Sequence, residues 1–287
     1  MRTSELFKDK KTLSFEVFPP KRTAPMDTIY RTLEGLKGLE PDFISVTYGA
    51  GGSENSKNTL EIARAIKSDH GIESVAHLPG IGLTRGDVLE FLRALEEAGI
   101  ENILALRGDL NPDIKQDGDF KYASDLVEFI NENGDFNVIG ACYPEVHGEA
   151  ASADEDIRAL KRKVDAGTGH LVTQLFFDNR HFYDFMDRAA AVGIDVPVEA
   201  GIMPVTNRKQ VERMVSLCGV DLPEKFVKIM ERYERDPIAL RDAGIAYAVD
   251  QIVDLVTQDV DGVHLYTMNN PYVAHRICEA VGSLMKA

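Results

Sequence analysis

Cysteine is scarce in the 287-residue sequence, and the little there is does not converge. Cys142, Cys218 and Cys278 are an odd number, widely spaced, with no CxxC pair. A disulfide framework needs paired cysteines, and a structural zinc needs four ligands at close spacing. His147 and His275 lie near two of the cysteines, yet no four-ligand set assembles, so no metal site is expected and the thiols read as small buried hydrophobes. Long apolar runs are missing too. None approaches the roughly 20 residues of a membrane helix, and the opening MRTSELFKDKK is charged where a secretory signal would be apolar. The expectation is a cytoplasmic protein with no membrane contact. Basic charge is in deficit: 32 Lys and Arg against 47 Asp and Glu give a formal net charge of -15. An extended phosphate backbone would be repelled, which argues against a nucleic-acid partner.

The glycine loops of common nucleotide folds are also absent. Gly49-Ala50-Gly51-Gly52 has Glu54 where the last glycine of GxGxxG belongs, and Gly80-Ile81-Gly82 has Arg85 there. No GxxxxGK[ST] loop occurs. Any nucleotide must be held another way.

What the sequence does contain is alternation. Strand-like runs recur at TLSFEVF (from Thr12), DFISVTY (Asp42), IESVAHL (Ile72), NILALRGD (Asn102), NVIGACY (Asn137), HLVTQLFF (His170), VPVEAGIM (Val196) and GVHLYTM (Gly262). Each precedes a helical pattern, such as TRGDVLEFLRALEEAG, which opens on the capping pair Thr84 and Asp87 and stops at Gly99. Gly167 and Gly193 mark further stops. Strict alternation calls for parallel strands, and eight units in a chain of this length fit a closed barrel. The expected fold is α/β, a single (β/α)8 TIM barrel over residues 1–287, with an extra helical insertion between Pro223 and Asp259 before the last strand. No Pro/Gly/Ser-rich linker divides it.

In a barrel, alternate side chains of each strand face inward and chemistry gathers at the strands' C-terminal ends. In the first strand Phe15 and Val17 share one face, while Ser14, Glu16 and Phe18 share the other. With the apolar pair against the helices, Glu16 points inward near the mouth. The same parity pairs Ser45 with Thr47, Arg107 with Asp109 and Val172 with Gln174, and His77, Tyr143 and Tyr266 close the third, fifth and eighth strands. Burying a lone carboxylate costs several kcal/mol unless it is paired or neutralised. One answer is a salt-bridge network, Glu16 or Asp109 with Arg107; the other is a binding site. Against the acidic background, Lys161-Arg162-Lys163 reads either as a solvated helix face or as a phosphate site. Adjacent helical residues point about 100° apart, so all three cannot serve one ligand.

Taken in order, FEVFPPK, FISVTYGAGGS, ILALRGD, YASDLV, YPEVH, LKRKVDAG, TQLFFD and LYTMN resemble the methylenetetrahydrofolate reductase family, in its bacterial form without a regulatory domain, from about Phe15 to Asn269. The resemblance implies a β/α barrel with non-covalent FAD. It implies ping-pong hydride transfer from NADH or NADPH through the flavin to 5,10-methylenetetrahydrofolate, giving the 5-methyl form for methionine supply. Residue by residue, Glu16 matches the general acid and Asp109 an aspartate beside flavin and folate. The cofactor set maps to Thr47, Tyr48, Ala50, His77, Arg107, Gly108, Asp109, Tyr122, Ala123, Tyr143, His147, Asp156, Arg162 and Lys163. Thr47 and Gln174 match positions touching nicotinamide or folate, and Gln210 matches a substrate-contacting glutamine.

Departures accompany the likeness. Leu78-Pro79-Gly80 stands where the family often has Leu-Thr-Cys. Met214 replaces an aromatic that stacks on the folate, and Asn270 replaces an arginine near the folate tail. A homo-oligomer is expected. A carboxyl between Phe15 and Phe18 is expected to favour its neutral form, as a general acid requires. Two alternatives differ in their electron or methyl chemistry: an FAD subunit fed by an iron-sulfur partner protein, and a flavin-free methyltransferase serving a corrinoid protein.

Overall fold

The computed structural model describes residues 1–21, 24–48, 53–108, 118–207, 209, 211, 215 and 219–286. Its strands are β1 (Thr12–Val17), β2 (Phe43–Val46), β3 (Glu73–Pro79), β4 (Asn102–Leu106), β5 (Asn137–Cys142), β6 (His170–Thr173), β7 (Val198–Ile202) and β8 (Gly262–Tyr266). Each pairs in parallel with the next, and β8 returns to β1 to close the barrel. All eight strands expected from the sequence are present. β6 is shorter than its apolar run, because the chain leaves the sheet after Thr173.

The described helices are α1 (Asp27–Leu36), α2 (Ser53–His70), α3 (Arg85–Glu97), α4 (Ala123–Asn133), α5 (Ala153–Asp165), α6 (Asn179–Ala191), α7 (Glu224–Tyr233), α8 (Pro237–Thr257) and α9 (Pro271–Val281). Two of them, α7 and α8, lie between β7 and β8. Local sequence explains where α3 begins: the Asp87 amide donates to Thr84 Oγ1 at 3.2 Å, and Asp87 Oδ2 accepts from the Thr84 amide at 2.8 Å. It buries Val88, Phe91, Leu92 and Leu95, spaced as one face of a helix. α8 starts at Pro237 behind Asp236, whose carboxylate accepts from the amides of Ile238 and Ala239. Gly244 on α8 meets the chain leaving β7; a Cβ there would lie 1.7 Å from the Val205 carbonyl oxygen, so no other residue permits that approach. No helix among the described residues is long and apolar enough to cross a membrane.

Strand parity divides the buried side chains into two layers. Outward residues such as Phe15, Val17, Leu78, Ile103 and Val263 pack against the helices in one continuous core. Each such side chain contributes about 1.5–3 kcal/mol by leaving water. Inside the barrel, Phe43, Val75, Leu104, Ile139 and Val172 from β2 to β6 form a separate apolar cluster, with Leu6 of the N-terminal 3-10 helix (Thr3–Lys8) packed against it. The opposite interior wall, from β7, β8 and β1, is polar: Glu199, His264, Thr12 and Ser14 are all wholly buried there. The thiols of Cys142 and Cys278 are free, and burial pushes both up, Cys278 to about 12.

His170 stands between the two halves. Its ring lies 4.8 Å from Phe7 and 6.0 Å from Phe43, and neither ring nitrogen has a hydrogen-bond partner among the described residues. Burial lowers its pKa from 6.5 to about 3. The unfolded chain therefore binds a proton that the folded chain refuses, so the stability present above about pH 6.5 is lost as the pH falls toward the folded value. His170→Leu keeps the apolar contacts and removes the titration. Thermal melts at pH 7.5 and pH 5.0 should show a smaller acid-induced drop in Tm for the variant than for wild type; equal drops would contradict this assignment.

Candidate active site

The last inward position of β1 belongs to Glu16. Its register neighbours are Ser45 on β2 and Tyr266 on β8, and its side chain retains 19% exposure at the C-terminal mouth. Oε2 lies 3.7 Å from His77 Nε2 and 3.9 Å from His264 Nε2. Burial lowers the His77 pKa from 6.5 to about 4, against the pull of Glu16, so His77 stands there as a neutral imidazole and supplies no countercharge. The surroundings differ from those the sequence suggests. Phe15 turns to the helices, and imidazoles rather than two phenylalanines stand beside the carboxyl. Among the described residues Arg107 forms a bidentate pair with Glu149, at 2.6 and 2.7 Å, and no pair with Glu16; Asp109, the other carboxyl of the salt-bridge alternative, lies outside the described residues. That pair holds the Glu149 carboxyl below its usual range.

From β2 round to α5, the residues mapped to a cofactor follow the rim in chain order. Thr47 and Tyr48 follow β2, with the Thr47 amide bonded to the Val17 carbonyl at 3.0 Å and Tyr48 edge-on to Phe91 at 5.9 Å. His77 is on β3. Arg107 and Gly108 leave β4, where Gly108 has φ +91° and a Cβ would meet Ile81 Cγ2 at 2.5 Å, which explains a glycine in this turn. Tyr122, 55% exposed, caps α4, which Ala123 begins. Tyr143 follows β5 and stands edge-on to His147 at 4.6 Å; the His147 amide donates to Asp156 Oδ2 on α5 at 3.1 Å.

The basic run splits as helix geometry requires. Lys161 pairs with Asp165, Arg162 is exposed, and Lys163 turns toward the barrel, its Nζ donating to the Ala141 carbonyl at 2.6 Å. Burial pulls the Lys163 pKa down, opposed by Cys142 and Asp156. This arc combines cations, hydroxyls and flat aromatic faces, which can hold a ligand that carries phosphates and a flat ring.

Other mapped residues stand further round. The Gln174 amide donates to the Cys142 carbonyl at 2.7 Å, and its Oε1 accepts from the Leu175 amide at 3.0 Å. Asn270 caps α9, its Oδ1 accepting from the Val273 amide at 3.4 Å, so this position carries a local structural duty. Ala50, Asp109, Gln210 and Met214 lie outside the described residues. Strand parity in the sequence put Ser14 on the inward face with Glu16 but gave it no role, and attention to the strand ends passed over Glu199 and His264, although the same period-two parity places each on an inward face. It also passed over a cleft beyond the rim, where Glu145 Oε2 accepts from the Asp221 amide at 2.6 Å and His181 lies 3.5 Å from Asp221.

Comparison with known proteins bears on the family and the fold. The family model described as methylenetetrahydrofolate reductase matches residues 2–282. A 5,10-methylenetetrahydrofolate reductase of Pectobacterium carotovorum is 38% identical over 275 residues, covering 94% of this chain and 90% of that one. The Escherichia coli K12 protein of the same name is 38% identical over 273 residues, with the same coverage. Among solved structures, a Clostridium thermocellum protein that binds two copies of 5-methyl-5,6,7,8-tetrahydrofolic acid superposes with a TM-score of 0.70 over 98% of this chain and 97% of that one; at 11% identity, that likeness speaks for the fold alone. A family match over residues 2–282 and relatives 38% identical over nearly the whole of an eight-stranded barrel lead to one conclusion: the chain belongs to the methylenetetrahydrofolate reductase family.

Proposed function

We propose that the protein uses FAD to pass a hydride from a reduced nicotinamide, NADH or NADPH, to 5,10-methylenetetrahydrofolate, and that Glu16 is the general acid of the folate step. When bound, the flavin supplies the two-electron relay between nicotinamide and folate. Tyr48, His77, Arg107, Tyr143, His147 and Lys163 are the residues that would hold it, with Asp156 bracing the His147 loop. The observation that carries the reading is Glu16 itself: a carboxyl at the mouth, beside imidazole nitrogens, with no lysine or arginine paired to it among the described residues.

The folate step needs a proton for the substrate nitrogen that leaves when the bridging ring opens, because the open iminium form is the hydride acceptor. Glu16 can deliver that proton from Oε2 or its twin oxygen and recover it from solvent through the open mouth. Neutral His77 helps in two ways: it adds no positive charge that would hold Glu16 as carboxylate, and it walls one side of the site from water. Asp109, which follows Arg107 and Gly108 in the sequence, is proposed to stabilise the developing cation on the folate.

Two measurements test the assignment. Glu16→Gln keeps the shape but has no proton to give. In anaerobic stopped-flow, reduction of bound flavin by the nicotinamide should remain within about twofold of wild type, while reoxidation by methylenetetrahydrofolate should slow by roughly 10² to 10⁴, the range for lost acid catalysis. Equal slowing of both steps would contradict the acid role. Lys163→Ala tests the cofactor arc. A charge-assisted hydrogen bond is worth roughly 1.5–3 kcal/mol, so half-saturation should require roughly ten- to a hundredfold more FAD, with turnover at saturating FAD little changed. Unchanged FAD retention would leave Lys163 with only its structural bond to the Ala141 carbonyl.

A further inference from the structure

The polar wall inside the barrel contains one carboxyl that the reaction does not use. Glu199, on β7, is 0% exposed. Its Oε1 accepts two hydroxyl hydrogen bonds from β1, from Thr12 Oγ1 at 2.7 Å and from Ser14 Oγ at 3.0 Å, and its Oε2 has no partner among the described residues. β8 lies between β7 and β1, so this reach requires a gap in β8. Gly262 provides it: it is the register partner of both Glu199 and Thr12, and a Cβ there would sit 2.0 Å from Thr12 Oγ1 and 3.0 Å from Glu199 Cγ.

The link continues upward to the site. Ser14 Oγ is 2.6 Å from His264 Nδ1, and His264 Nε2, which makes no hydrogen bond among the described residues, faces Glu16 Oε2 at 3.9 Å. A serine hydroxyl has a single proton. If that proton is directed to Glu199, the Ser14 oxygen can only accept from His264, which fixes the proton on Nδ1 and leaves a lone pair on Nε2. A lone pair directed at Glu16 welcomes a protonated carboxyl and repels a carboxylate. Without an acceptor at Glu199, Ser14 is free to donate to Nδ1 instead. The ring proton then moves to Nε2, where it would favour the carboxylate form of Glu16 across the 3.9 Å between them.

We infer that Glu199 is a positioning residue: through the Ser14 hydroxyl it fixes the tautomer of His264, so that Glu16 meets an acceptor and keeps its proton for the folate. This rests on the reading of Glu16 as the acid. Burial raises the pKa of Glu199 itself, which suits a neutral carboxyl whose Oε1 serves as a pure acceptor. The titratable groups facing His264 are Glu16 at the mouth, His77 on β3, His170 on β6, Tyr266 beside it on β8 and Glu199 below.

The test compares Glu199→Gln, which retains the acceptor oxygen, with Glu199→Val, which removes it. Nitrogen-15 NMR of labelled histidine reads the tautomer of His264 directly, with His264→Asn used to assign the resonance. The expected result is Nδ1–H in wild type and in Glu199→Gln, and Nε2–H in Glu199→Val. In stopped-flow, Glu199→Val should slow the folate half-reaction at least tenfold at pH 7.5 and shift its pH profile to lower pH, while flavin reduction stays within twofold; Glu199→Gln should restore both. If Glu199→Val misfolds, Ser14→Ala cuts the same link, and the folate step should slow with the same pH shift. An Nε2–H tautomer in wild type, or Nδ1–H in Glu199→Val with an unshifted profile, overturns the inference. Equal slowing of both half-reactions by Glu199→Val also overturns it, as that is the mark of a structural role. The NMR readout needs neither flavin nor folate, so an error in the proposed reaction leaves it interpretable.

Discussion

A closed barrel of parallel strands allows each side chain only two destinations, and the period-two alternation of the strand assigns them without exception. On β1 that rule sends Phe15 and Val17 to the helices, and Ser14 and Glu16 inward. Everything distinctive about the site follows from that assignment. A carboxyl at the last inward position cannot leave the mouth without a slip in register, and a slip would bury the polar set against the helices. The apolar outer layer therefore does more than stabilise the fold, because it fixes the height and direction of Glu16.

The interior is electrostatically divided. Its apolar half, built from Phe43, Val75, Leu104, Ile139 and Val172, lowers the local dielectric. Beside it, His77 and His170 are held neutral, and Glu199 is pushed toward its protonated form. Charge is suppressed within the barrel and concentrated on the rim, where Arg107 and Glu149 pair and Lys163 approaches the end of β5. A neutral interior beneath a charged rim suits a reaction that needs an undissociated acid in one place and anchors for a charged cofactor in another.

Much of this was legible in the sequence, since strand parity and helix caps are local properties. The eight strands, the Thr84 capping box and the inward direction of Glu16 could all be read from spacing. What could not be read depends on contacts between distant segments. The pairing of Arg107 with Glu149 joins residues 42 positions apart. The reach of Glu199 to Thr12 spans 187 positions and depends on the missing side chain of Gly262 between them. Asn270, which stands where the family has an arginine near the folate tail, also has a local duty that its immediate neighbours define, the cap of α9.

The proposed reaction puts both halves of a flavin-mediated hydride transfer at one barrel mouth. The most direct test is anaerobic absorbance spectroscopy of the purified wild-type protein, with NADH or NADPH added first and methylenetetrahydrofolate second. The account predicts an oxidised flavin band that bleaches with nicotinamide and returns with the folate, with 5-methyltetrahydrofolate formed in equal amount to the flavin reoxidised. A protein that remains colourless after incubation with FAD, or a bleached flavin that methylenetetrahydrofolate does not restore, would contradict it.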